Sequence, residues 1–180
     1  MATNVIWKIG IHPTGGTAKP TIPALGSHVT MTGFTTIGSV ARGDDCDLDE
    51  ESVEIPFMRE YSLVKPPVAL GAADHVLKSA GATDFSFTAY DISKSLLALD
   101  SNMATATNTT TFTTTTSKRT VMIEINGVQS YYFPQCIVQV DSVAAGISGD
   151  DAAAKTQVTI KPEGTSSIPG GVAIDNFVSA

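Results

Sequence analysis

The sequence predicts a mainly β fold, an antiparallel β-sandwich or barrel with one packed α-helix at about residues 91–100. Three observations carry this reading. Apolar residues recur at every second position in several short stretches, the signature of strands with one buried face. Thr, Val and Ile are abundant, and their branched Cβ atoms suit a pleated sheet. Helical spacing is strong in only one place, so the strands have mainly one another to pack against.

The elements follow in order. Val5, Trp7, Ile9 and Ile11 alternate with Ile6, Lys8 and Gly10 and predict a first strand. Pro13, Gly15, Gly16, Pro20 and Pro23 make residues 13–26 an extended arm, so residues 1–26 read as an N-terminal strand and arm. Residues 28–40 hold one or two strands interrupted by Gly33 and Gly38. Residues 39–66 read as a long loop carrying an acidic cluster, with flanking strands at 52–57 and 59–64 broken at Pro56. Asp74 to Ala80 has the cap and stop of a short helix, Asp74 before it and Gly81 after it.

Phe85, Phe87 and Ala89 share one face of a half-buried strand. It leads into Asp91, a good N-cap, followed by Ile92, Leu96 and Leu99 at helical spacing. Thr105 to Thr116 is nearly all threonine and reads as a polar strand or a disordered tract. Val121, Ile123 and Ile125 then alternate up to Asn126-Gly127, the strongest short signal for a two-residue hairpin turn. That turn would set Ile125 opposite Val128, Ile123 opposite Ser130 and Val121 opposite Tyr132. Gln135 to Val143 continues as a strand, 144–154 is a loop or short helical turn, and Thr156, Val158 and Ile160 line a last strand. Residues 162–180, with Pro169 and Gly170-Gly171, read as an exposed C-terminal tail. The whole chain, 1–180, reads as a single domain with arms.

Charge is placed unevenly. The formal net charge is −7. Asp44, Asp45, Asp47, Asp49, Glu50, Glu51 and Glu54 form one segment without a base, and the rest of the chain is formally neutral. No basic footprint for nucleic acid exists. Only 16% of residues are charged, which leaves a weakly polar surface suited to burial against other chains. Met1 to Gly10 lacks the pattern of a secretory signal, and no apolar run approaches the ~18 residues of a membrane span. Cys46 and Cys136 are far apart and read as two buried or half-buried thiols of a protein folded in a cytosol.

The search for chemistry returns negatives. His12, His28 and His75 have no companions at ligand spacing. Gly10 to Thr17 has P-loop spacing but Gly16 where a phosphate-binding Lys must stand. Asp45, Asp47 and Asp49 fit the first ligands of a calcium loop, but Glu50 and Pro56 occupy positions that need Gly and a bidentate Glu. Asn108-Thr109-Thr110 matches a glycosylation acceptor, which means little without secretion. The expectation is a structural protein, not an enzyme, with no catalytic residues, cofactor or metal.

The unit Asp84-Phe-Ser-Phe-Thr-Ala-Tyr-Asp-Ile-Ser-Lys-Ser-Leu-Leu-Ala-Leu99 resembles a major tail tube protein of a long-tailed bacteriophage. So does the order after it: a Thr-rich segment, the hairpin 121–133, Tyr131-Tyr-Phe-Pro-Gln-Cys-Ile-Val-Gln-Val140, Gly149-Asp-Asp-Ala-Ala and the strand Thr156 to Lys161. The resemblance covers residues 83–162 best and is one of element order. It implies a virion protein assembled in the host cytoplasm, whose copies join into six-membered rings and stack into a tail tube. Its partners would be itself, a tape-measure protein in the channel, and tail terminator and tail-tip proteins. DNA would transit without specific binding, and no membrane is involved. The loop at 39–66 would either bridge to the next ring or contribute acids to the channel wall. Two rival readings stand beside it: another assembly protein of similar fold (a tail terminator, capsid decoration protein or secretion tube), and a carbohydrate-binding β-sandwich.

Overall fold

The computed structural model describes residues 7–17, 31–38, 45–49, 53–64, 74–82, 84–91, 95–106, 109–125, 129–145, 154–163 and 175–178. The strands are β1 (Trp7–His12), β2 (Thr35–Gly38), β3 (Cys46–Leu48), β4 (Phe57–Val64), β5 (Asp74–Ala82) and β6 (Phe85–Asp91). They continue with β7 (Met103–Ala106), β8 (Thr109–Phe112), β9 (Arg119–Ile125), β10 (Gln129–Ala145), β11 (Ala154–Pro162) and β12 (Asp175–Val178).

Seven strands close into a barrel in the order β11-β6-β3-β2-β1-β9-β10, and β10 returns to β11. Each neighbouring pair is antiparallel except β2 and β3. Closure removes the unpaired backbone edges that an open sheet would expose. The period-two pattern now has its cause: Ile9, Ile11, Ile37, Phe87, Ile123, Val138, Val158 and Ile160 fill the interior in one cluster. Each side chain of this size stabilises the fold by roughly 1.5–3 kcal/mol on burial. A second cluster of Met31, Phe34, Met122 and Tyr132 covers the outer side of the wall. Gly10, between Ile9 and Ile11, leaves room for it; a Cβ there would stand 2.5 Å from Met31 Sδ and 3.1 Å from Phe34 Cδ1.

The longest strand organises the barrel. One edge of β10 pairs with β9 up to Cys136, opposite Arg119. Beyond that point Ser101 takes over: its amide donates to Val138 O at 2.8 Å, and its hydroxyl accepts from Val138 N at 2.9 Å. Asp100 Oδ2 accepts from Val140 N at 2.8 Å. The buried Arg119 guanidinium donates to the carbonyls of Leu99 (2.9 Å), Asp100 (3.1 Å) and Pro13. It thereby ties the end of β9 to both segments that flank it. On the other edge, β11 pairs with residues 136–145 and β12 with residues 129–132.

The structure corrects several expectations. In place of an α-helix at 91–100 there is the end of β6 at Asp91 and a single 3₁₀ turn, Leu96–Leu99. Leu96 and Leu99 are both buried, and side chains three apart eclipse in a 3₁₀ turn, so one short turn plugs the barrel with both. The cap position falls on Ser95, whose side chain makes no capping bond, and Asp91 reaches the turn only from the end of β6, accepting from Leu96 N at 3.3 Å. Asp74 to Ala80 is not a helix but most of β5, paired with β4 from Phe57 opposite Ala82 to Val64 opposite Asp74. That ladder satisfies the backbone that local propensity assigned to a helix.

The Asn126-Gly127 turn lies outside the described residues, but the register around it is set. Ile123 faces Tyr131 and Val121 faces Phe133, one residue away from the expected pairing. The connection spans 126–128, not two residues. The shift puts Tyr131 and Phe133 on the core side instead of Ser130 and Tyr132. The expected loop at 144–154 is shorter, since β10 runs to Ala145 and β11 starts at Ala154. The expected tail 162–180 contains a paired strand, β12.

Replacing Gly10 with Val should cost about 1–3 kcal/mol, the usual range for overpacking. Chemical denaturation would measure it. Adding Met31→Ala to the same chain should recover part of the loss, because the Met31 sulfur is the nearest obstacle.

Candidate assembly surface

The acidic segment does not behave as one loop. Cys46 and Leu48 are buried inside the barrel as part of β3, so Asp45, Asp47 and Asp49 project from a wall strand and its ends. Asp45 Oδ2 accepts from Thr36 N at 3.0 Å and knots β3 to β2. Asp47 is half-buried, opposite Tyr90 on β6. Asp49 forms an ion pair with Lys155 of β11. Hydrogen bonds from Lys155 and then Tyr90 hold its carboxyl below the ordinary range. The Lys155 ammonium also lies 5.6 Å from the centre of the Tyr90 ring. Glu54 is exposed. Asp44, Glu50 and Glu51 lie outside the described residues.

Sequence reasoning missed Lys155, which no local pattern connects to Asp49. It had a clue to β3, however, since Asp45-Cys46-Asp47-Leu48-Asp49 alternates polar with apolar residues.

Two hairpins stand outside the barrel ladder. β4 and β5 pair with each other, and β7 and β8 likewise. The Thr-rich segment thus supplies a strand, β8. Its root is held by Thr113 N donating to Asn102 O at 2.7 Å and Ser117 N donating to Ser101 O at 2.7 Å. These hairpins carry most of the large apolar side chains exposed among the described residues: Tyr61 at 53%, Leu63 at 51% and Phe112 at 76%. Tyr61 and Leu63 are two apart on β4 and share a face.

The titratable interior is structural in its geometry. Asp91 accepts from Leu96 N, Thr156 Oγ1 and Cys46 Sγ, and so joins β6 to β11 and β3. Burial raises its pKa above the ordinary 3.8, partly offset by those hydrogen bonds. Cys46 and Cys136 are buried and unbridged, and burial pushes the Cys136 thiol far up. His12 Nδ1 accepts from Thr14 N at 3.1 Å, and its ring meets Phe34 edge-on. His75 is exposed on β5, and His28 lies outside the described residues. Among the described residues no group of three or more His, Cys, Asp or Glu is placed to hold a metal ion. No described helix is long and apolar enough to cross a membrane.

No protein-family model matches the chain, and no curated protein sequence matches it. Among solved structures it is similar to a chain in the cryo-EM structure of the anti-feeding prophage baseplate, 6-fold symmetrised. That match has a TM-score of 0.43 and 7% identity over 98% of this chain and 94% of the other. It is also similar to a chain in the sheath/tube terminator of an extracellular contractile injection system, PVC, in the extended state. There the TM-score is 0.39 and the identity 8%, over 94% of this chain and 92% of the other.

The raised pKa of Asp91 gives a signed prediction. Its contribution to stability is fully present below pH 3.8 and is lost as pH rises through the higher folded value. Asp91→Asn cannot ionise, so its melting temperature relative to the parent should rise between pH 4 and pH 7. Thermal melts of both proteins across that range would check it; a constant or falling difference would refute the assignment.

Proposed function

We propose that this chain is a structural subunit of a phage-tail-like particle. Its copies assemble into rings that stack as a tube, through which DNA passes without specific binding. The observation that carries the reading is the β4–β5 hairpin, a two-stranded ribbon beside a closed barrel, exposing Tyr61 and Leu63. A two-stranded ribbon is marginal in water by itself and gains stability from a further strand or an apolar surface. A barrel that needs no partner for its core, joined to a ribbon that does, is the anatomy of a building block. The residue pattern of 83–162 supports the same reading.

The subunit catalyses no reaction in this proposal. Its partners are further copies of itself, a tape-measure protein in the channel, and the proteins that begin and end the tube. It resides in the virion tail after assembly in the host cytoplasm. The acidic segment has a narrower part than the sequence suggests. Asp45 and Asp49 hold the barrel wall together, so among the described residues Asp47 and Glu54 remain for a neighbouring ring or the channel.

Negative-stain microscopy of the purified chain at high concentration should show rings or hollow rods, with contacts burying more than ~2,000 Å². Single rings that never stack would favour a terminator. A monomer at every concentration and salt would overturn the proposal. The double variant Tyr61→Ser/Leu63→Ser should keep the parent's melting temperature within about 2–4 °C, as surface changes do, and should lose assembly.

A further inference from the structure

β12 holds an unusual place. β11 runs antiparallel along one edge of β10 as far as Pro162, opposite Cys136. Its end is fixed: Glu163 N donates to Gln135 O at 2.8 Å, and the Glu163 carboxylate pairs with Lys118. β12 then resumes on the same edge in the same direction, from Asp175 opposite Tyr132 to Val178 opposite Gln129. Gln135 and Tyr132 are three steps apart, roughly 10 Å at ~3.4 Å per residue. The chain between Glu163 and Asp175 includes Gly164, Pro169, Gly170 and Gly171 and spans up to roughly 40 Å when extended. The covalent connection is therefore several times longer than the path requires. Among the described residues β12 pairs with no other strand, and its ladder covers four residues of β10.

From this geometry we infer that β12 is a displaceable cover over a strand-pairing site, the 129–132 edge of β10, and that the site's occupant is a second copy of this chain. Detaching β12 leaves the barrel closed, because all seven barrel ladders lie elsewhere. It opens the backbone donors and acceptors of a strand edge, which template another strand. The chain itself supplies a strand that needs such an edge. β4 and β5 run over eight and nine residues and, among the described residues, pair only with each other. Docking the outer edge of that hairpin onto 129–132 of a neighbour provides its third strand and covers the edge at once. While β12 is in place it competes at high effective concentration, because it is tethered. Monomers then stay apart until they meet at high local concentration.

The inference rests on the self-assembly proposed above, and the test separates the two. Ser130 and Phe177 are Cα partners across the ladder, within the range a disulfide bridges. In the full chain, Ser130→Cys/Phe177→Cys should lock β12 in place when oxidised. The oxidised protein should stay monomeric by light scattering where the parent assembles, and reduction should restore assembly. The second full-length variant, Asn176→Pro/Phe177→Pro, removes adjacent amides. One of them must point at β10, because successive amides in a strand face opposite edges. If β12 covers the edge about nine-tenths of the time, this variant should assemble at about tenfold lower concentration. Hydrogen exchange on its oligomers should show new protection at 129–132 and in the hairpin, 57–64 or 74–82.

If the parent assembles and the oxidised variant assembles equally well, the displaceable cover is wrong and the building-block reading stands. If the parent stays monomeric but the proline variant associates with protection at those segments, the cover is right and the tube is wrong. Protection at other strands would remove the hairpin as occupant.

Discussion

The barrel depends on a single strand having partners on both edges from Gln129 to Val140. β10 runs from Gln129 to Ala145, longer than any neighbour, so no one strand can satisfy either edge. Each edge is shared in two parts. β9 serves one edge and stops at Arg119, after which Asp100 and Ser101 supply the next donors and acceptors. β11 serves the other edge and stops at Pro162, after which β12 follows. A buried backbone N–H or C=O without a partner costs about 1–3 kcal/mol, so each handover must be filled. This explains why Asp100, Ser101 and Arg119 are buried although polar. Asp100 and Ser101 complete the backbone accounting of the longest strand, and Arg119 holds their segment in place through the carbonyls of Leu99 and Asp100.

The handovers are not equivalent, and the difference organises the molecule. The Arg119 side is closed by a guanidinium reaching three carbonyls from two segments. Near it, Thr120 Oγ1 bonds Thr14 O at 2.9 Å and Pro134 O at 3.2 Å, and Gly16 N donates to Pro134 O at 2.7 Å. The start of the N-terminal arm is thus stitched across the irregular step of β10 between Phe133 and Cys136. The β12 side rests on a short backbone ladder. Stability concentrates where the core and the side-chain network coincide, and the peripheral strand and the projecting hairpins belong to the lower-stability end of the structure. The proposed assembly would use that division: a rigid body sets the geometry, and peripheral strands form the contacts.

The acidic segment illustrates how a fold redistributes charge. Seven acids in one stretch of chain suggest a single electrostatic feature. Once Cys46 and Leu48 turn inward, the acids around them are obliged to alternate outward, where they meet groups from other strands. Asp45 reaches a backbone amide of β2, and Asp49 reaches Lys155 of β11. The local density of charge is a property of the chain, but its function is set by neighbours distant in sequence.

The same division runs through the whole protein. The β class, the inward faces of β1, β6, β9 and β11, and the burial of both cysteines were legible, because strand alternation is a local signal and one face of a barrel strand must be apolar. The plug at Leu96 and Leu99 was legible as a buried pair but not as a 3₁₀ turn, since both helix types place residues three apart near one face. Other features were decided only by tertiary structure. β5 became a strand because β4 lies beside it. The register of β9 and β10 moved by one residue because the connection spans 126–128 and brings Tyr131 and Phe133 to the core. Barrel closure, the Asp49–Lys155 pair and the placing of β12 on β10 join segments far apart along the chain. Local periodicity determines which face of a segment is buried; which segment covers it depends on long-range pairing, and that information is carried by no single stretch of residues.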